Sequence, residues 1–152
     1  MKSPPKGWPR LSLSVHYQDA PAAIDWLCRA FDFELQLKVE GDGGVIVHSE
    51  LKYGEALIMV GGEGGKEPWQ SMQHSPQSLA GAVTASACLF VDDVDAHHAR
   101  AAAEGAEITM DVNDAFYGFR RYEARDLEGH QWHFAEPLEH VQQRRGEQPA
   151  PA

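Results

Sequence analysis

The chain repeats itself. Asp19 and Asp93 stand 74 residues apart, and each precedes a helix-patterned stretch that follows an alternating strand. Gly54 and Gly129 stand 75 apart, and each sits in the turn of the last hairpin of its half. A near-constant offset across several landmarks indicates two copies of one supersecondary unit. In the first copy Leu11, Leu13, Val15 and Tyr17 alternate with Ser12, Ser14 and His16 over a strand spanning 10–17. Asp19 then caps a helix over 20–31, with Pro21 in its first turn and Ile24, Leu27, Cys28 and Phe31 at helical spacing. Strands over 33–40, 45–51 and 56–60 complete a βαβββ unit. The second copy runs as a strand over 85–91, a helix over 94–104 capped by Asp93 and closed by Gly105, and strands over 106–112, 119–125 and 130–135. The turn Asp126-Leu127-Glu128-Gly129 joins the last two. The second helix is alanine-rich and must lie close to its sheet, since alanine brings little apolar volume.

The fold class that follows is α+β, with two paired βαβββ modules. The expected divisions are an N-terminal arm over 1–10, a first module over 11–60, a loop over 61–84, a second module over 85–138 and a flexible tail over 139–152. At 152 residues the chain suits one domain. The long Gly- and Ser-rich loop carries Trp69, Met72 and His74, which favours docking over plain disorder. No apolar run is long enough for a bilayer and no secretory pattern opens the chain, so the cytoplasm is the expected compartment. Cys28 and Cys88 lie in apolar-patterned segments and are expected to be buried free thiols. A net charge of −10 argues against nucleic acid as a partner, because phosphate contacts need a basic face. It permits a cationic ligand.

The segment D-x-x-x-A-I-D-W from Asp19, V-D-D-V-D-A-H from Val91, Y-G-F-R from Tyr117 and D-L-E-G-H-Q-W from Asp126 resemble the vicinal oxygen chelate superfamily. That superfamily includes glyoxalase I, bleomycin-resistance proteins and extradiol dioxygenases. The resemblance covers residues 11 to 137 and is most specific in D-x-x-G-H-x-W. It implies curved sheets enclosing a cavity, a homodimer, and in metal-dependent members about four His or Glu ligands on strands one, four, five and eight. Carried onto this sequence, those positions fall on Ser12, on Ile58 or Met59, on Ser86 and on His133. Serine, isoleucine and methionine are poor ligands for zinc, nickel or iron, so no metal is expected there.

Alternation places Ser12, Ser14, His16, Ser86, Cys88, Phe90 and His133 on the cavity face, with Gln131 beside them and Arg120 and Tyr122 on a neighbouring strand. An arginine in the pocket invites a carboxylate or phosphonate, against the cationic ligand that net charge permits. His48 and Glu50 share a strand face, whereas His130 and His133 point apart. Neither a nucleophile motif nor a phosphate-cradling loop is visible. Two functions remain open at this level. One is a metal-independent, homodimeric binder of a small organic or antibiotic-like molecule. The other is a glyoxalase-type lyase or isomerase that uses a rebuilt metal site or His16 and His133 as acid–base groups.

Overall fold

The computed structural model describes residues 1–147. Two four-stranded mixed sheets form, each from one copy of the repeat. The first contains β1 (Leu13–Tyr17), β2 (Glu34–Glu40), β3 (Ile46–Tyr53) and β4 (Ala56–Gly62) in the order β1-β4-β3-β2. The second contains β5 (Ser86–Phe90), β6 (Glu107–Ala115), β7 (Phe119–Arg125) and β8 (Gln131–Pro137) in the order β5-β8-β7-β6. In both, the first strand pairs in parallel with the last, and the remaining pairs are antiparallel. The α+β architecture of two βαβββ modules is therefore the one present.

Both long helices lie on the same side of the sheets. Helix α1 (Ala20–Phe31) starts where the Asp19 side chain accepts the Ala22 N–H, and α2 (Val94–Ala103) starts where Asp93 does the same for Ala96. They pack on each other: Trp26 Nε1 donates to the Glu104 carbonyl at 2.8 Å, and Arg100 Nε to that of Arg29 at 2.8 Å. The core beneath them is one cluster running through both modules, centred on Phe31, Tyr122, Trp132, Phe134 and Leu27. Phe31 of the first module lies 4.7 Å from Phe134 and 5.5 Å from Trp132 of the second, ring centre to ring centre. Such aromatic contacts add to the burial energy and fix how the modules meet. His97 is sealed into this core. Its Nε2–H donates to the Phe31 carbonyl, its Nδ1 accepts from Tyr122 Oη at 2.6 Å, and burial lowers its pKa.

The D-L-E-G-H-Q-W segment is a structural joint. The buried Asp126 carboxylate accepts from Tyr17 Oη at 2.6 Å, from Trp132 Nε1 at 3.0 Å and from the N–H groups of Glu128, Gly129 and His130. Glu128 accepts from the backbone N–H groups of Gln18 and Asp19, just ahead of α1, and from Ser75 Oγ. One turn of the second module thus ties down the first strand, the first helix and the long loop. The repeat offers a neutral counterpart, in which Tyr53 Oη accepts the Asp92 N–H at 3.4 Å.

Two expectations change. Within the tail expected from 139 onward, Leu138–Arg145 forms a third helix, α3. It buries only Val141, and ion pairs rather than apolar area hold it: Arg144 meets the buried Glu136 at 2.8 Å, and Arg145 meets Asp95 at 2.8 Å. Residues 148–152 of that expected tail lie outside the described residues. Within one chain the long loop is tied down through Ser75 and Ser78, while Trp69 is exposed. Ser75 N donates to Glu63 at 2.7 Å, Ser78 Oγ to Glu63 at 2.6 Å, and Gln18 reaches Ser78 Oγ at 2.8 Å.

Candidate ligand-binding site

With α1, α2 and α3 on one side, no α-helix covers the opposite face of either sheet, and the long loop reaches only the seam beside Ser14, His16 and Ser86. On β1, Val15 and Tyr17 turn inward and are buried, while Ser12, Ser14 and His16 take the other parity. Ser12 Oγ is buried yet has no hydrogen-bond partner among the described residues. Partial burial and the nearby His130 both lower the His16 pKa, which favours a neutral imidazole. Across the sheet Glu50 accepts from His48 at 2.9 Å and from Gln36, and these bonds hold its carboxyl below the ordinary range.

The second module presents a richer face. By register Ser86, Gln131 and Arg125 form one row across β5, β8 and β7; Cys88, His133 and Glu123 form the next; Phe90, Ala135 and Arg121 form the third. The polar groups engage one another. His133 Nδ1 lies 2.9 Å from Glu123 Oε1, His133 Nε2 lies 3.0 Å from Ser86 Oγ, and Gln131 donates to Thr109 and Glu123. Toward the far end the surface turns aromatic. Phe90 packs edge-on to Phe119 at 5.2 Å, Phe119 to Tyr117 at 5.6 Å and Tyr117 to Phe116 at 5.2 Å, with the Arg121 guanidinium 5.3 Å from the Tyr117 ring centre. Phe90 is 50% exposed and Phe116 fully exposed, although burying either would be favourable.

Two expected site residues lie elsewhere. Tyr122 is on the helix-covered face, fully buried against His97 and Phe134, and burial pushes its phenol pKa far up. Arg120 shares that face and reaches over to α2, pairing with Asp95 at 2.8 Å and Asp114 at 2.7 Å. The two arginines of β7 on the open face are Arg121 and Arg125, and neither makes an ion pair among the described residues. Both cysteines are free, but Cys88 is exposed on the open face rather than buried, and Cys28 is only partly buried. Missed at the sequence level was Glu123, whose signal is its antiparallel register opposite His133.

The two sheets meet along β1 and β5, each an edge strand, without hydrogen-bonding to one another. Two cavities sit along this seam. One of about 200 Å³ is lined by Ser14, His16, His74, Ser86 and His130 under the docked loop. The other, of about 310 Å³, is lined by Ser12, Phe33, Leu57, Ser86, Cys88 and Trp132. Pockets for drug-sized molecules run from about 300 to 1,000 Å³, so the first cavity falls short of that range and the second stands only at its lower end. No cluster of three or more His, Cys, Asp or Glu side chains suited to a metal ion occurs among the described residues.

The family model for the glyoxalase/bleomycin resistance protein/dioxygenase superfamily matches residues 12–134, which covers both modules and the seam between them. The chain belongs to this superfamily. Among proteins similar to it is the uncharacterized protein Rv0887c of Mycobacterium tuberculosis strain H37Rv, 33% identical over 138 residues that make up 88% of this chain and 77% of the relative. Among solved structures, TioX from Micromonospora sp. ML1 superposes with a TM-score of 0.66 at 32% identity, over 86% of this chain and 99% of the other. TnmS3, an antibiotic binding protein from Streptomyces sp. CB03234, gives 0.60 at 20% identity over 83% and 93%, a likeness of fold. Among the described residues no helix is long and apolar enough to cross a membrane.

Proposed function

We propose that this superfamily member binds a small organic molecule without a metal ion, as a homodimer, and that the ligand is a planar aromatic compound carrying an acidic group. The observation that carries this reading is the exposed aromatic run Phe90–Phe119–Tyr117–Phe116, continuous with a polar floor of Ser86, Cys88, Gln131 and His133. Such a run offers stacking area, and the floor offers a few oriented hydrogen bonds. Arg121 and Arg125, free of ion pairs among the described residues, favour an anionic substituent over the cationic ligand that net charge permits. That an antibiotic-binding protein shares the fold is compatible with this use of the face.

The positions that the superfamily resemblance assigns to metal do not suit one. The register sets Met59, not Ile58, on the open face beside Ser14, so the four positions hold Ser12, Met59, Ser86 and His133. One imidazole among two hydroxyls and a thioether is a poor donor set for a divalent ion. A second copy of the chain would supply what the open faces lack. Leu35, Leu37, Val39, Val45 and Val47 are exposed on the first module, and all seven residues of β2 face solvent in the single chain. Laid over the second module of a partner, such a surface would close the site.

The test is a titration of the full chain with planar aromatic carboxylic acids, followed by amide chemical shifts. Shifts confined to residues around Phe90, Cys88, His133 and Arg121, weakened by Phe90→Ala, are expected. Shifts confined to the helix side would overturn the proposal. Light scattering should give twice the 16.8 kDa of one chain, and a monomer at micromolar concentration would remove the homodimer.

A further inference from the structure

Binding alone leaves one arrangement on the open face unexplained. Ser86, His133 and Glu123 come from three neighbouring strands, β5, β8 and β7, whose pairing fixes their spacing. Glu123 Oε1 accepts a hydrogen bond from His133 Nδ1–H at 2.9 Å, which leaves Nε2 as the acceptor facing the Ser86 hydroxyl, 3.0 Å away. A hydroxyl within hydrogen-bond reach of an imidazole that a carboxylate orients is the arrangement by which a serine becomes a nucleophile. It is recognised by geometry and roles, whatever the fold or the order in the chain. Ser86 also borders both cavities of the seam.

The repeat supplies an internal comparison. At the equivalent positions the first module keeps a serine and a glutamate, Ser12 and Glu50, but has Met59 where the second has His133. Glu50 there engages His48 on its own strand instead. Only the second copy holds the complete set.

We propose that Ser86, His133 and Glu123 act as a nucleophilic relay that hydrolyses carboxylic esters held on this face. The proposal rests on the reading that the face binds a small organic molecule. Ser86 Oγ attacks the ester carbon while its proton passes to His133 Nε2. The carbon–oxygen bond to the alcohol breaks, and His133 returns the proton to the departing alcohol. Water then attacks the acyl carbon, giving its proton to His133, and the bond to Oγ breaks as Ser86 recovers a proton. Water is the only co-reactant, and an acid and an alcohol are the products.

A small dialkyl fluorophosphate tests the relay on the full chain. Its phosphorus bonds to Oγ, the phosphorus–fluorine bond breaks, and hydrogen fluoride leaves. One adduct per chain, mapped to Ser86 and not Ser12, is expected, and Ser86→Ala should carry none. His133→Ala should slow labelling roughly 10²–10⁴-fold, the usual worth of a general base, and Glu123→Gln at least about tenfold. Hydrolysis of p-nitrophenyl acetate should fall in the same order. Absence of an adduct, or labelling at an unchanged rate in His133→Ala, would overturn the relay. Failure of the binding reading looks different: the wild-type chain would label normally yet bind no aromatic acid.

Discussion

Replacing Asp126 by asparagine changes almost no volume but disturbs the joint that holds the two modules together. The carboxylate serves two donors through Oδ2, Tyr17 Oη and Trp132 Nε1, and three backbone N–H groups through Oδ1. An asparagine can keep its oxygen on the backbone side, which puts its amide nitrogen against Tyr17 and Trp132. The tyrosine hydroxyl can rotate and accept, but the indole N–H, on a residue only 1% exposed, has no other role than donor. The cost is one buried donor left unsatisfied, about 1–3 kcal/mol, plus the charge assistance lost from the remaining bonds. A total of about 2–4 kcal/mol is expected. With a urea slope of about 2 kcal/mol/M, the unfolding midpoint should fall by roughly 1–2 M with the slope unchanged. In a Tyr17→Phe background the same change should cost less, because the two side chains share one interaction. A midpoint within about 0.2 M of wild type would refute the assignment of Asp126 as the joint.

Glu128→Gln should loosen both the start of α1 and the docked loop, costing about 1–2 kcal/mol and speeding proteolytic cleavage within 64–84; an unchanged cleavage rate would dissociate the loop from Glu128. Asp95, held down to about 2 chiefly by Arg120 and also by Arg145 and Arg144, binds its proton less readily folded than unfolded. Its stabilisation is therefore complete above about pH 4 and lost as the pH falls toward 2, and after discounting for its partial exposure it is about 1 kcal/mol. Asp95→Asn should flatten that stretch of the stability–pH curve by this amount. Arg144→Met strands the buried Glu136, leaving it the Val94 N–H alone, and should lower the melting temperature by roughly 5–10 °C; no change would show α3 to be undocked.

The repeat made the two-module fold legible, and α1 was readable to the residue because Asp19, Pro21 and the apolar spacing all point the same way. The side assignment of β7 was not, because alternation separates two faces without saying which one the helices cover. Its composition held the answer: Tyr122 and Ala124 are the apolar set and belong under the helices, while Arg121, Glu123 and Arg125 are the charged set and face outward. Arg120 shares the inner face only because it lies near the start of the strand, where Asp95 on α2 meets it. Helix α3 escaped notice for a different reason. Besides the Arg144–Glu136 pair, it is held by ion pairs of Arg144 and Arg145 to Asp95, 49 and 50 positions earlier, which no local pattern records. The D-x-x-G-H-x-W motif was legible as a landmark, whereas its carboxylate proved to be a fastening rather than part of the site.

The central claim is a binding face that works without metal. Calorimetric titration of chelator-treated full-length protein with a planar aromatic carboxylic acid tests it most directly. Saturable binding is expected that is unchanged by the chelator and weakened at least about tenfold by Phe90→Ala, the loss expected when about 1.4 kcal/mol of aromatic contact is removed. Binding that disappears on chelation and returns with added nickel or zinc would contradict it.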